Sequence, residues 1–480
     1  MKKFRRYTAL VLAILSVLLL FSSCGIRKAT NEELAAYFYM RSYEKVTGAD
    51  SVEATVKTTL YQKDSNEAGK IINTASIAID DIGFNSMKAL FKSTSVEKTN
   101  KVYSPEVTLS DYSNGYCDGK MFLCIEGGGS FASEADPYYF LEQTGLNVSL
   151  FRELSADECG TALYSVDDDG NKNITLGNFS GEAANDIRTN LAAMVPIRTK
   201  AITINSAQID AVLTSENMLK TEKINIEFDI KFAKNNVLTY VLESESNYTW
   251  NESTDPDIPD DLDDCLEVDD VTDLDFVSSG LIKLSMLDTG KLSYKEKIKM
   301  GHSNQNASVS EDTEYAEKDN KFSYKITGSM SNGASSLSSQ KYTTVYENGQ
   351  YSYKVGSESP KVTTTSDEEQ FYLLINKYFV PMFINDKKLV KDFENKVNSD
   401  GTKTIEITLD TAKKGAMTDF LEQFNISLDG LTLKSANMVY IFDEEGNIQK
   451  YEFSVICSYK IDSRGATYTM EYNRSLEIKE

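Results

Sequence analysis

The second half of this chain repeats the first, and this repeat constrains the fold more than any other feature of the sequence. The segment from Val166 to Ile174 aligns without a gap on the segment from Val397 to Ile405, at a constant offset of 231 residues. In both segments an Asp-Gly pair precedes alternating apolar residues, which is the signal for a β-hairpin whose glycine supplies a positive φ. Other pairs recur in the same order: Phe140 with Phe371, Asp118-Gly119 with Asn348-Gly349, and Ser206-Ala207 with Ser435-Ala436. We therefore predict a duplicated domain.

Each copy is predicted to open with a helix and to continue mainly as strands. Thr30 is placed to cap the first helix, with Glu33 as the capping-box acid, and Asp273 caps its counterpart. The predicted helices cover 31–46, 137–150 and 181–194 in the first copy, and 276–287, 368–383 and 411–424 in the second. Period-2 alternation dominates the remainder and indicates antiparallel sheets with one covered face. The expected fold class is α+β: two tandem copies of a curved antiparallel sheet, a half-open barrel, with helices packed on its concave face.

The first residues have the pattern of a bacterial lipoprotein signal. Four cations lie among the first six residues, and an almost wholly apolar run follows from Tyr7 to Phe21. This run is shorter than the roughly 20 residues that a membrane-spanning helix needs. Phe21-Ser22-Ser23-Cys24 resembles a lipobox, in which the cysteine is lipidated and becomes the new N-terminus. We expect a signal peptide over 1–23, a lipidated Cys24 with a tether over 24–30, and a position on the extracytoplasmic face of the cell membrane. The alternative is an ordinary signal peptide cleaved near Ser23.

The net charge of the chain limits the kinds of partner it can bind, and an acidic segment marks the boundary between the two copies. The formal net charge is −23, and removal of Lys2, Lys3, Arg5 and Arg6 takes it to −27. Such acidity argues against a nucleic-acid partner, because phosphate binding needs a positive face. Half of the residues from Glu252 to Asp275 are acidic and none is basic, which favours a solvated linker over a calcium site. We place this acidic linker at 252–271, between repeats at 31–251 and 272–480.

Neither cysteines nor known motifs predict a metal site or catalysis. The five cysteines after Cys24 stand at 117, 124, 159, 265 and 457 without a C-x-x-C pair, so free thiols are expected, with Cys117–Cys124 as the one pair that a hairpin could bring together. The only histidine, His302, lies in a polar loop. Three S-x-x-K matches, at Ser42, Ser95 and Ser338, have no K-T-G partner. The sequence does not decide whether two carboxylates form a pair suited to glycoside hydrolysis, because 73 acidic residues offer many candidates. We expect a protein that is not an enzyme and needs no metal or cofactor.

The order of these elements resembles that of the LolA/LppX-like lipoproteins. The likeness comprises a lipidated cysteine, a capped N-terminal helix, a strand from Ser51 to Leu60, and a long antiparallel sheet with helices on its inner face. The family fold is an unclosed barrel whose hollow, lidded by helices, takes lipid acyl chains. The resemblance spans nearly the whole mature chain, once per copy, and rests on pattern without a diagnostic motif. It implies a lipid-like or other apolar ligand between sheet and helices, lined by aromatic residues of the middle helices: Tyr138, Tyr139, Phe140, Phe371, Tyr372, Tyr378 and Phe379.

Two functions remain open at this point. The chain could be a membrane-anchored, non-enzymatic protein that binds or carries a lipid-like or other apolar small molecule. It could instead be a structural or interaction lipoprotein of the cell envelope, with solid cores, that binds a protein or glycan partner. In that second case the seven aromatic residues would be ordinary core, the more frequent role for apolar residues at helical spacing. A cavity of about 300 Å³ or more in each copy would favour the first function.

Overall fold

The computed structural model describes residues 29–63, 69–98, 106–144, 146, 149–194, 198–233, 236–252, 254–259, 262–301, 305–319, 321–332, 339–384, 386–460 and 466–479. Cys24 and the predicted signal peptide lie outside the described residues, as do His302 and Ser338.

Strands make up most of the described chain. The first half contains β1 (Val52–Gln62), β2 (Lys70–Asp80), β3 (Lys88–Lys98), β4 (Glu106–Cys117), β5 (Lys120–Ile125), β6 (Ser130–Glu134), β7 (Cys159–Val166), β8 (Lys172–Phe179), β9 (Ile202–Leu213), β10 (Leu219–Ala233), β11 (Asn236–Trp250) and the short β12 (Leu266–Glu267). The second half contains β13 (Thr289–Met300), β14 (Gln305–Lys318), β15 (Lys321–Asn332), β16 (Gln340–Glu347), β17 (Gln350–Val355), β18 (Lys361–Thr364), β19 (Val390–Val397), β20 (Lys403–Leu409), β21 (Leu431–Phe442), β22 (Ile448–Lys460) and β23 (Thr467–Lys479).

The α-helices of the described chain are short. They are α1 (Asn31–Glu44), α2 (Pro137–Thr144), α3 (Gly181–Met194), α4 (Asp273–Ser285), α5 (Asp367–Tyr378) and α6 (Lys414–Glu422). Single turns of 3₁₀ helix lie at Val46–Gly48, Ala156–Glu158, Thr199–Ala201, Leu262–Asp264, Val380–Met382 and Lys387–Leu389.

The two sheets share one strand order. The first has twelve strands in the order β12-β6-β5-β4-β3-β2-β1-β11-β10-β9-β8-β7, and the second has eleven in the order β18-β17-β16-β15-β14-β13-β23-β22-β21-β20-β19. In each sheet the first long strand pairs antiparallel with the last, β1 with β11 and β13 with β23. The order of the second sheet thus reproduces that of the first when β12 is set aside. The repeat boundaries predicted from the sequence stay a prediction.

The predicted α+β class, with helices packed on the concave face of a half-open barrel, is wrong. The fold is dominated by its two large sheets, and the longest helices, α1 and α3, have 14 residues each. The reason is that long strands carry large aromatic residues on their buried faces, and these residues form much of the core together with the short helices. Neighbouring strands bring Phe453 within 6.0 Å of Tyr472, and Tyr324 within 5.8 Å of Tyr346, measured between ring centres.

Two hairpin turns and the first helix agree with the local signals in the sequence. Gly170 and Gly401 have φ values of 82° and 83° in the β7–β8 and β19–β20 hairpins, which confirms both Asp-Gly turns. Thr30 forms the predicted capping box with Glu33, whose side chain accepts from the Thr30 amide at 2.8 Å. At α4 the cap residue is Thr272, one residue before the predicted Asp273, and its side chain makes no capping bond.

The acidic segment between the halves is attached to the first sheet and is not a freely solvated linker. Its apolar residues Ile258, Leu262 and Cys265 pack against Leu90, Phe122 and Ala132 of β3, β5 and β6. β12, within the same segment, pairs parallel with β6. Burial of these few apolar side chains favours attachment of the segment.

One large core joins the two halves. Buried residues of β1–β6, α2 and α4 belong to the same apolar cluster as the buried residues of the second sheet. At the junction the rings of Phe131 on β6 and Phe393 on β19 lie 4.9 Å apart. A second cluster lies under α1 and α3 and against β7–β10.

The suggested Cys117–Cys124 disulfide does not fit the β4–β5 hairpin. Cys117 pairs with Lys120, whereas Cys124 pairs with Ser113, so the two cysteines lie at different levels of the hairpin. All five described cysteines are free thiols.

Candidate functional site

A cavity of about 330 Å³ lies between β3–β5 of the first sheet and the helices α2 and α4. Its sheet wall consists of Phe91, Tyr112, Asn114, Met121 and Leu123, and its helical wall of Phe140, Gln143, Val271, Thr272, Asp275 and Ser279. Six of these eleven residues are apolar or aromatic, and five carry polar groups. The lining is therefore more polar than that of the usual small-molecule pocket, and the volume is at the lower end of the usual range of about 300–1,000 Å³.

The register of three strands sets the sheet wall. Phe91 on β3 is opposite Asn114 on β4, and Asn114 is opposite Leu123 on β5. Opposite residues of antiparallel strands point to the same face, so the three side chains form one row across the sheet. An asparagine therefore stands in the centre of an otherwise apolar row.

The side-chain oxygen of Asn114 accepts no hydrogen bond from the described residues. Its Oδ1 atom is buried and has no hydrogen-bond partner in the part of the chain that the structure describes. Leaving a buried polar group unpaired costs about 1–3 kcal/mol. Buried polar atoms are nearly always satisfied in folded proteins, so this atom marks a position where a donor group would be stabilised.

Hydrogen bonds fix the helical wall. The Asp136 carboxylate accepts from the backbone amides of Tyr138 and Tyr139 at 2.8 and 3.1 Å and so caps the start of α2. The Tyr139 hydroxyl donates to Asp270 Oδ2 at 2.8 Å and lies 2.9 Å from the Thr272 hydroxyl, which ties α2 to the start of α4. Burial raises the pKa of Tyr139, so this hydroxyl stays protonated and keeps its donor role at neutral pH.

A lysine from the second half reaches the lining of this cavity. The ammonium of Lys387 lies 4.4 Å from the centre of the Tyr112 ring and 2.8 Å from Asp275 Oδ1. Tyr112 and Asp275 both line the cavity. The side chain of Lys387 is 20 % exposed and that of Asp275 is 57 % exposed, so the contact lies near the protein surface. The site therefore combines groups from both halves of the chain.

The seven aromatic residues singled out from the sequence do not form one site. Phe140 lines the cavity, and its ring lies 6.1 Å from that of Tyr116. Tyr139 is tied to Asp270, and Tyr138 is exposed. In the second half Phe371, Tyr378 and Phe379 are buried in the core, whereas Tyr372 is exposed and contacts Phe232 edge-on at 5.9 Å.

Sequence reasoning missed the polar members of the site. Tyr112, Asn114 and Tyr116 alternate along β4 and so share one face, which was a readable signal for a polar residue on a buried face. Lys387 lies in a separate part of the chain, and no local pattern connects it with β4.

Each half also contains a buried glutamate held by tyrosines. Glu222 on β10 accepts from Tyr39 and Tyr43 of α1 at 2.8 and 2.7 Å. Glu311 on β14 is 2 % exposed and accepts from Lys377 at 2.6 Å, from Tyr378 at 2.8 Å and from Tyr342. Because the acceptors of both side chains are satisfied internally, they offer little to a ligand.

The catalytic and metal patterns gain no geometric support from the described residues. The Ser42 hydroxyl donates to the Tyr39 carbonyl of its own helix at 2.7 Å. Within the described ranges, no group of three or more His, Cys, Asp or Glu side chains is arranged to hold a metal ion. In the same ranges, we find no helix with both the length and the apolar character needed to span a membrane.

Comparison with known proteins assigns no family. No family model matches the chain, and no curated protein matches it. Among solved structures, a putative AttH from Nitrosomonas europaea is 6 % identical with a TM-score of 0.14, over 89 % of this chain and 92 % of its own. A DUF1329 family protein from Desulfovibrio piger is 11 % identical with a TM-score of 0.15, over 43 % of this chain and 90 % of its own. Kievitone hydratase from Nectria haematococca is 6 % identical with a TM-score of 0.14, over 91 % of each chain.

Proposed function

We propose that this protein is an exported lipoprotein, anchored through Cys24 to the extracytoplasmic face of the cell membrane, which binds a small and largely apolar molecule without transforming it. The observation that carries the proposal is the cavity between β3–β5, α2 and α4, with its aromatic lining and the unpaired acceptor of Asn114. The basic, apolar and small-residue pattern that ends at Cys24 supports export and lipidation.

Ligand binding would recover free energy in two ways. Apolar atoms of the ligand would leave water for a lining of Phe91, Met121, Leu123 and Phe140, and each square ångström of apolar surface removed from water contributes about 25 cal/mol. A donor on the ligand would pair with Asn114 Oδ1 and remove its desolvation penalty. The same donor would orient the ligand within the apolar space.

The anchor would hold the start of α1 close to the membrane. Cys24 and the start of α1 at Asn31 are separated by a short tether, which spans roughly 20 Å when fully extended. Two or more acyl chains on Cys24 would make the anchoring stable.

Native mass spectrometry of the chain from residue 25 onward tests this proposal. The protein is exported behind a cleavable signal, purified without detergent, and its co-purifying material is extracted with organic solvent. We expect about one ligand per chain, since the cavity is formed once, between β3–β5 of the first sheet and the helices α2 and α4. An apo mass that also takes up no added decanol, decanoate or decylamine would overturn the proposal.

A blocked cavity provides the specificity control. Ser279 is exposed and lines the cavity, so Ser279→Trp should fill the space and abolish ligand uptake. Lys283 is exposed on the same helix and does not belong to the lining, so Lys283→Trp should leave uptake unchanged. Equal loss in both variants would show that the bound mass is not in this cavity.

The envelope-interaction function is the second candidate, and one observation favours it. The face of the first sheet across β1 and β7–β11 forms a recess of about 690 Å³ lined mostly by polar and charged residues, among them Lys57, Gln208, Lys223, Glu243 and Glu245. Such a surface suits a peptide or glycan partner better than a lipid. A chain that takes up no apolar ligand would leave this function to pursue.

A further inference from the structure

We propose that the cavity selects an amphiphile with a protonated amine, and that the ammonium of Lys387 stands where the amine of the ligand would bind. This inference rests on the proposed function, because it specifies the ligand class of the same cavity. It is carried by three groups that line the same cavity: the Tyr112 ring, the Asp275 carboxylate and the Asn114 amide.

The Tyr112 ring already holds a cation. Lys387 Nζ lies 4.4 Å from the ring centre, inside the roughly 6 Å over which an aromatic face attracts an ammonium group. Aromatic faces on a cavity wall beside a carboxylate are a general means of recognising amine-bearing ligands. The intramolecular contact shows that this geometry accommodates an ammonium group.

The carboxylate of Asp275 completes the cation position. It pairs with Lys387 at 2.8 Å. The neighbouring acids of this region are engaged elsewhere: Asp270 accepts from Tyr139, and Asp273 accepts from Lys403 and Asn395. A ligand amine could replace Lys387 without disturbing these bonds. The long stem of Lys387 is partly exposed, so its head can move into water when it is displaced.

The unpaired acceptor of Asn114 points to the same ligand class. Among the described residues its Oδ1 has no donor, and an ammonium group carries three donors and no acceptor. A carboxylate in this cavity would meet the acceptors of Asp275 and Asn114 Oδ1, with the cation Lys387 and the neutral donors of Gln143, Thr272 and Ser279 in its favour. An alcohol could donate to Asn114 but would leave Tyr112 and Asp275 paired with Lys387, so it would gain no charged contact there.

Titration calorimetry with three matched ligands separates these cases. Decylamine, decanol and decanoate share one apolar chain, and each is titrated below its aggregation concentration at neutral pH into the chain from residue 25 onward. We expect decylamine to bind at least tenfold more tightly than decanoate, with decanol between them. Because surface charge attracts cations non-specifically, the preference should persist when salt is raised to 0.5 M, where exposed charges are screened over about 4 Å.

Two variants assign the preference to these residues. Lys387→Met keeps an apolar stem and removes the competing ammonium, so decylamine affinity should rise severalfold, whereas Lys388→Met on the adjacent residue should leave it unchanged. Asp275→Asn should reduce decylamine affinity to that of decanol. Because Asp275 is more than half exposed, this variant should fold normally, which circular dichroism would verify.

The outcomes distinguish the inference from the proposed function. If none of the three ligands binds, the proposed function fails and the inference fails with it. If decanoate binds most tightly and Lys387→Met abolishes that binding, the cavity takes an acid and the inference is overturned while the proposed function stands. Equal binding of all three would likewise overturn the inference, since the cavity would then recognise only the apolar chain.

Discussion

The guanidinium of Arg198 lies 4.0 Å from the centre of the Phe371 ring, and this contact inserts a residue of the first half into the aromatic core of the second. Arg198 precedes β9 and is 4 % exposed, and it also forms an ion pair with Glu317 on β14. A second ring, Phe322, lies 5.1 Å from the same guanidinium. One cation therefore joins the two sheets at a point distant in sequence from the acidic connecting segment.

Loss of this contact should destabilise the protein strongly. Arg198→Ala removes the cation from a buried ion pair, and breaking such a pair costs about 3–5 kcal/mol. Because Lys200 still contacts Glu317 in this variant, we expect a loss at the lower end, about 3 kcal/mol in the free energy of unfolding. Arg198→Lys keeps the charge but loses the planar stacking on the rings, so its stability should lie between those of the wild type and Arg198→Ala. Denaturant unfolding provides the measurement. Arg152, with a side chain 86 % exposed, is the control, and a loss as large in Arg152→Ala would contradict this assignment.

Sequence reasoning succeeded where the signal was local. Asp169-Gly170 and Asp400-Gly401 form the predicted hairpin turns because a glycine with positive φ is needed within two or three residues of sequence. Thr30 and Glu33 form a capping box for the same reason. These features depend on neighbouring residues alone.

The covering of the sheets and the site could not be predicted in that way. Alternation shows that one face of a strand is buried but does not show what covers it. Strand aromatics such as Tyr346 and Tyr472 form much of the interior together with residues of short helices. The polar site groups Asn114 and Lys387 come from opposite halves of the chain. Their proximity depends on how the halves dock, to which contacts such as Phe131 with Phe393 contribute.

The buried Glu222 should make stability depend on pH. Burial raises the pKa of this carboxyl above its ordinary value of 4.5. Below 4.5 the folded and unfolded states are both protonated. As pH rises from there to the raised folded pKa, the unfolded chain loses a proton that the folded chain keeps, so this contribution to stability is progressively lost.

Melting temperatures measured over a range of pH test whether Glu222 lowers stability as pH rises. Glu222→Gln stays neutral and keeps an oxygen to accept from Tyr39 and Tyr43. It should therefore remove the decline above pH 4.5 and melt no lower than the wild type at pH 8. Glu216→Gln, at an exposed turn, should follow the wild-type curve. A Glu222→Gln curve parallel to the wild type would show that this group does not titrate as inferred.

Replacement by alanine should have opposite effects on stability at two glycine positions. Gly170 has a φ of 82° in the β7–β8 turn, so Gly170→Ala should lose about 1–2 kcal/mol because an L-residue is strained there. Gly415 lies in α6 without a positive φ, and the space that a Cβ would occupy there is open, so Gly415→Ala should be neutral or gain up to about 1 kcal/mol. Urea unfolding of both variants is the measurement, and a gain in Gly170→Ala would contradict the turn assignment.

Replacement of Asn114 by leucine should stabilise the protein and weaken ligand binding. Asn114→Leu keeps the branched shape and the number of heavy side-chain atoms and removes the buried, unpaired Oδ1, so the free energy of unfolding should rise by about 1 kcal/mol as the desolvation penalty disappears. The same change removes the acceptor that orients the ligand, so the affinity for decylamine and decanol should fall at least fivefold. Leu90 on β3 packs on the acidic segment and does not line the cavity, so Leu90→Met preserves apolar character and should leave both quantities nearly unchanged. If Asn114→Leu instead destabilised the protein and left ligand affinity intact, the amide would serve the fold, and the acceptor would have no part in recognition.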